Sequence, residues 1–228
     1  LPSRPTMLSS GREMLRIGVP AAGANMMTPL AAGIMTAIAA SFGDEAVAAF
    51  GVGARLEPMA TLIVLAMSSS LPPLISQNFG AGKINRVEEA YRLSIKFILG
   101  WQMLVYMVLA LGAGVIASTF SDDPEVIETI KLFLWILPLA YGMQGVIILT
   151  NSSLNALHRP MSALYLSSAR FFVFYVPLAY VGSQWLGLAG FFGGALCGNF
   201  LMAAISWRSF NKAISQERAT HANCAEST

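Results

Sequence analysis

Six stretches of the chain lack the polar punctuation of a soluble protein. Residues 17–42, 46–82, 97–120, 132–157, 161–182 and 188–207 are almost wholly apolar, and short polar links separate them. A bilayer's hydrocarbon core is about 30 Å thick, and a helix rises about 1.5 Å per residue, so runs of roughly 20 residues are long enough to cross it. The pattern predicts an all-α, polytopic membrane protein of six transmembrane helices. Residues 1–16 read as an interfacial segment and 208–228 as a mobile polar tail. Pro20 and Pro29 in the first run predict bends there, and Asn25 is one of its few polar side chains. The second run is broken by Pro72-Pro73 and closes in Gln77-Asn78-Phe79-Gly80. A Ser121-Asp122-Asp123-Pro124-Glu125 loop carries a helix-start signal. Residues 182–187 read as a turn whose Trp185 suits a membrane interface. The glycines of 190–198 let helices approach closely.

Composition agrees. The chain is 55% hydrophobic and 11% charged, with a mean hydropathy of +0.61, whereas a soluble domain has about a quarter charged residues. The net charge of +2 matters less than its placement. Arg and Lys gather in the N-terminal segment, after the second and fourth runs, and in the tail. The alternating links carry almost none. By the positive-inside rule both termini are then cytoplasmic. Cys197 and Cys224 support neither a disulfide framework nor a zinc site. The chain starts at Leu1 and reads as a fragment or the second half of a longer protein.

Charges inside the runs are the candidate chemistry. Glu57 lies about 16 Å along a helix that starts near Ala46, close to the midplane. A charge there costs about 2.5–3.5 kcal/mol, so it needs protein or water beside it. Arg55 is two residues away, about 200° around the helix, and cannot share Glu57's partner. Arg170 is also deep, and the economical pairing is Glu57 with Arg170. Glu57 then either carries a coupling ion or neutralises an arginine to lock packing. Gln144, Asn151 and Asn155 recur at helical spacing as a stripe, which lines a cavity or bonds neighbouring helices; Tyr141 stands beside it. Phosphate loops, metal-ligand clusters and nucleophile–base pairs are not visible in the sequence, which reads as neither an enzyme nor a nucleic-acid binder.

The segment GVGARLEPMATLIVLAMSSSLPPLISQNFGAGKINRVEEA, with FSDDPEVIETIKLFLWILPLAYGMQGVIILTNSSLNALHRP, RFFVFYVPLAY and LGLAGFFGGALCGN, resembles the C-terminal lobe of the MATE family, the multidrug and toxic compound extrusion transporters. The resemblance runs over about residues 10 to 210, and the Q-N-F-G-A-G and D-D-P-E-V elements carry it together. It implies two six-helix lobes around a central cavity in a bacterial inner membrane. It also implies export of organic, often cationic, drugs in exchange for Na⁺ or H⁺. The partners implied are the bilayer, a small organic solute, and a missing N-terminal lobe or a second copy. Some members carry acids on the seventh and tenth helices. Here Gln144 stands at the latter position and 17–42 holds no acid, so the resemblance does not imply an ion site wholly within this lobe. A lipid-linked sugar flippase of the wider superfamily, which would want a more cationic cavity, and a non-transporting membrane scaffold are the rival readings.

Overall fold

The computed structural model describes Gly23 and residues 26–226, with side chains up to Ala219; Pro20 and Asn25 lie outside the described residues. The architecture is an all-α bundle. Its elements are α1 (Met26–Ala40), α2 (Asp44–Ala60), α3 (Leu62–Gly80), α4 (Ile84–Leu111), α5 (Ala113–Phe120), α6 (Pro124–Ile136), a 3₁₀ turn (Leu137–Leu139), α7 (Ala140–Ala156), α8 (Pro160–Ala169), a π-helical segment (Arg170–Tyr175) and α9 (Val176–Glu226). Among the described residues three helical stretches are long and apolar enough to cross a membrane: Ile84–Leu111, Pro124–Ala156 and Pro160–Ala219. The bent pair α2–α3 makes a fourth. The last stretch contains two rods, because the backbone leaves helical geometry at Leu186 and Gly187, where Gly187 takes φ +60°. With α1, this makes six rods.

Burial orders the rods. Only 22% of the apolar window of α4 is buried, against 61% of that of α6–α7. The α6–α7 rod is therefore central, and α4 turns Leu104, Val108 and Leu111 outward, as a lipid-facing helix does. α6 starts where Asp123 accepts a hydrogen bond from the Glu125 amide and Pro124 fills the first helical position, an N-cap in which the missing proline N–H costs nothing.

Where the chain reverses, glycine makes the packing possible. Gly182 lies against the Gly190 backbone, Gly194 against Leu178, and Gly198 against Phe174. A Cβ at Gly198 would sit 2.9 Å from the Phe174 carbonyl oxygen. The arms of α9 thus meet backbone to backbone, as helices in lipid do when packing contacts drive their association.

Four expectations change. The second rod does not break at Pro72-Pro73, which lie inside an unbroken α3. Proline's φ suits a helix, and only one N–H bond is lost at each. The break is at Thr61, with a 42° bend, three residues beyond Pro58. There the Gln102 side chain of α4 donates to the Ala60 carbonyl at 2.9 Å, so the interrupted backbone is still satisfied. The basic stretch after Lys83 is the start of α4, because Ile84, Val87, Tyr91, Ile95 and Ile98 fall on one buried face. The turn expected at 182–187 shrinks to Leu186-Gly187.

The fourth change concerns the tail, which continues as helix to Glu226. Phe210, Ala213 and Ile214 are buried, and Phe210 stacks on Tyr91 with centroids 3.6 Å apart. Tyr91 also donates to Thr150 at 2.7 Å, since the Thr150 hydroxyl gives its own proton to the Val146 carbonyl. Two clasps join the polar end. Arg159 bonds Gln216 and Glu217, both at 2.7 Å, while Arg218 bonds Glu88 at 2.8 Å and Asn85 at 3.0 Å. The links after α3 and α7 therefore sit at the same end of the bundle as the end of α9, as alternating charge requires.

The glycine packing yields a prediction. Gly194→Val inserts carbon into a backbone–backbone contact and should destabilise the fold by about 1–3 kcal/mol or more. Gly193→Val faces open space and should change little. Thermal melting of both variants in detergent checks the difference.

Candidate functional site

Two apolar clusters stack along the bundle. One holds Val64, Leu71, Tyr91, Ile147, Leu154, Leu166 and Phe210. The other holds Met35, Ala49, Val52, Phe133, Ala179, Phe191 and Phe192. The rods α2–α3, α6–α7, α8 with its π segment, and the second arm of α9 pass from one cluster to the other, α4 continues beyond the first toward α5 in the second, and polar side chains lie where the clusters meet. α2–α3 brings Glu57 and Thr61, α4 brings Gln102, α7 brings Tyr141 and Gln144, the π segment brings Arg170, and α9 brings Asn199. Together they form a polar layer across the middle of the lobe.

Helix geometry delivers these groups. Thr61, at the break, donates to the Glu57 carbonyl at 2.7 Å. This hydroxyl bond and the bend leave the Glu57 carboxylate half-buried and turned toward α7, where Gln144 Nε2 donates to Oε1 at 2.7 Å. That distance is typical of a charge-assisted bond, worth roughly twice a neutral one. The 3₁₀ turn at Pro138 precedes α7 and sets the start of the helix that carries Tyr141 and Gln144. Tyr141 is buried beside Glu57, and its hydroxyl has no hydrogen-bond partner among the described residues. The buried Gln102 Oε1 is likewise unbonded. The layer holds more bonding capacity than this lobe uses.

The Glu57–Arg170 pairing is not what the structure shows. Arg170 is 9% exposed and donates through Nε to Asn199 Oδ1 at 3.2 Å. Its guanidinium lies 4.8 Å from the Phe171 ring centroid, a cation–π contact. Asn199 is held for this role by its own bond to the Ala195 carbonyl at 3.2 Å. Arg170, Tyr141 and Tyr175 remain within electrostatic range of Glu57. The arginine and the acid therefore share an environment without a direct bond. The reason is azimuth: each charge turns to an amide instead, Glu57 to Gln144 and Arg170 to Asn199.

The other candidates divide. Arg55 is exposed and makes no hydrogen bond or ion pair among the described residues. Asn151 bonds Ser167 of α8 at 2.9 Å, so it joins helices, and Asn155 is exposed. The stripe thus splits into a site residue, a packing residue and a surface residue. Pro29 and Gln77 are exposed on their helices, Asn78 bonds the Leu74 carbonyl, and Gly80 ends α3 with nothing near it. Asn199, Gln102, Thr61 and Tyr175 are members of the layer that the sequence reading passed over. A lone amide at mid-depth in an uncharged run, as at Gln102 and Asn199, is the signal that marks them.

The MatE family model matches residues 20–181. The chain belongs to the MATE family of membrane transporters. Its relatives include a protein named FAD transporter from Shewanella oneidensis, 40% identical over 95% of this chain and 48% of that protein. Another is the multidrug export protein MepA of Staphylococcus haemolyticus, 23% identical over 78% of this chain and 39% of that protein. Among solved structures, the Vibrio cholerae MATE transporter VcmN in its bent form superposes with a TM-score of 0.87 at 34% identity, covering 95% of this chain and 49% of that one. The chain spans about half the length of the relatives it matches. The family consists of transporters, not enzymes, and this chain has the fold of one of their lobes.

The geometry predicts how the charges couple. In a double-mutant cycle, Glu57→Ala and Gln144→Ala should couple by about 1.5–3 kcal/mol. Glu57→Ala with Arg170→Leu should couple far less. Melting temperatures of the single and double variants in detergent give both numbers. A stronger Glu57–Arg170 term would contradict the assignment.

Proposed function

We propose that this chain is one lobe of a secondary transporter that exports an organic solute in exchange for Na⁺ or H⁺. In this reading it works opposite a second six-helix lobe in a bacterial inner membrane, with its basic end toward the cytoplasm. The observation that carries the reading is the polar layer. Ionisable groups at mid-depth, beside interrupted helices and with unused hydrogen-bonding atoms, are what a site exposed alternately to each face requires. An ion or proton that favours one facing and a solute that favours the other exchange through their differential affinities.

The solute class follows from charge. Glu57 is already engaged by Gln144, whereas Arg55 is exposed and unpaired within the lobe. Gln144 is neutral and leaves the acid its charge, but Arg170 stands in the same layer and Arg55 is free of any acid, and this excess of base suits an anionic aromatic solute. The 40% identical relative named FAD transporter supports a flavin dinucleotide. A cationic drug is the second reading, supported by the relatives named as multidrug export proteins.

Transport by the longest natural chain that contains this lobe decides between them. Reconstituted in vesicles with imposed Na⁺ and then pH gradients, it should move FAD under one of the two gradients. Arg55→Ala should reduce that flux roughly tenfold, the loss of one bond to a charged group, and leave transport of a cationic dye unchanged. Dye movement without FAD movement would favour the second reading, and flux under neither gradient would end the exchange mechanism.

A further inference from the structure

A groove of about 450 Å³ opens at the basic end of the bundle, between α8 and the second arm of α9. It runs along α8 as far as Ala169, the residue before Arg170 of the polar layer. Its rim carries Arg159 and Lys212, with Ser162 and Ser209 beside them. Its apolar lining is Leu154 of α7, Leu166 and Ala169 of α8, and Ala213 of α9. Ser162, Tyr165, Leu166 and Ala169 fall at i, i+3, i+4 and i+7, so one face of α8 runs from the charged rim toward the apolar interior. Tyr165 is 67% exposed at the groove's edge, a position that suits a side chain with an apolar ring and a polar tip at the membrane boundary.

Charge at the rim is unbalanced. Arg159 is engaged by Gln216 and by the carboxylate of Glu217. Lys212 is exposed and has no hydrogen bond or ion pair among the described residues, and the hydroxyls of Ser162 and Ser209 are likewise unbonded. Arg208, one turn before Lys212 on the same arm, is also exposed. One ammonium and two hydroxyl donors without partners therefore line the same groove as Arg159. The Glu217 carboxylate is turned to Arg159, and Glu88 is taken by Arg92 and Arg218.

The geometry points to a binding site for an anionic phospholipid, with its headgroup phosphate held by Lys212, Ser162 and Ser209. The glycerol and the start of one acyl chain lie along the Leu166–Ala169 face. A free phosphate would satisfy the rim but would leave the apolar lining unused, and a zwitterionic lipid would bring its own ammonium against Lys212. Occupancy bridges α8 to the end of α9, the same two elements that the Arg159–Glu217 pair joins. The lipid therefore stabilises the basic end of the lobe.

The test uses the longest natural chain containing the lobe, purified and placed in nanodiscs of phosphatidylcholine alone or with a fifth of phosphatidylglycerol. Melting temperature and lipid retained in native mass spectrometry are the readouts. Phosphatidylglycerol should raise the melting temperature of the parent protein and stay bound preferentially. Lys212→Gln should lower its retention about fivefold, the effect of one basic side chain near an anionic headgroup, with the melting temperature in pure phosphatidylcholine unchanged. Lys83→Gln removes a lysine from the same end outside the groove and should keep the parent's response. Equal losses in the two variants would show a general surface effect and overturn the site. So would a response to phosphatidylglycerol that Lys212→Gln leaves intact, or an equal melting shift produced by inorganic phosphate in pure phosphatidylcholine.

Discussion

The hydrogen bond from Gln144 to Glu57 is the constraint around which the lobe is arranged. It is made where two apolar clusters meet, at a depth where an unpartnered carboxylate would cost several kcal/mol. To make it, the second rod has to bend and the fourth has to present an amide at the same height. The bend at Thr61 frees a backbone carbonyl, and Gln102 of a third rod takes it. One charge placed in the membrane's interior thus recruits side chains from three rods. The other deep charge, Arg170, recruits a fourth through Asn199.

Backbone irregularity follows the same line. The break at Thr61, the 3₁₀ turn at Leu137–Leu139 and the π segment at Arg170–Tyr175 all adjoin the polar layer. Interrupted helices survive in a membrane only where protein or water satisfies the freed groups, so polar side chains and broken backbone are found together. Away from the layer the breaks fall at Gly112, between α4 and α5, and at Leu186-Gly187, and most contacts are apolar, aromatic or, between the arms of α9, bare backbone. Broken backbone and unused hydrogen-bonding atoms thus coincide in the middle of the lobe.

Much of this was legible from the order of residues. Uninterrupted apolar runs mark the rods because lipid imposes their length, and lysine and arginine mark one end because the links alternate. The Asp123-Pro124 start and the glycines of α9 were equally readable, since capping and close approach are local matters. What the order of residues could not supply was azimuth. Pro72-Pro73 looked like the break, but a helix tolerates proline where its φ fits; the real break depends on Gln102, 41 residues from Thr61 along the chain. Glu57 and Arg170 matched in depth, yet each found an amide nearer in angle. The tail read as mobile because its charges are many. Phe210, Ala213 and Ile214 recur at helical spacing among them, and only Tyr91 on another rod reveals what that face is for.

The two ends of the lobe are held by different chemistry, and that difference bears on motion. At the basic end, Tyr91 stacks on Phe210 and bonds Thr150, while Arg159 and Arg218 tie the end of α9 to the links after α7 and α3. Exposed ion pairs are each worth about 1 kcal/mol or less, so the aromatic stack and its buried hydroxyl bond contribute the larger share, and the pairs set direction more than strength. At the opposite end, Phe133 packs edge to face on Phe50 and Phe192, and Phe191 tilts against the same two rings. Apolar faces of this kind can slide with modest loss, whereas a buried hydroxyl bond must break to move. The phenylalanine faces between α2, α6 and α9 are therefore the freer contacts of that end, whereas α4 and α6 are tied there by Tyr106 donating to the Trp135 carbonyl at 3.1 Å and Trp135 donating to the Ala110 carbonyl at 3.2 Å.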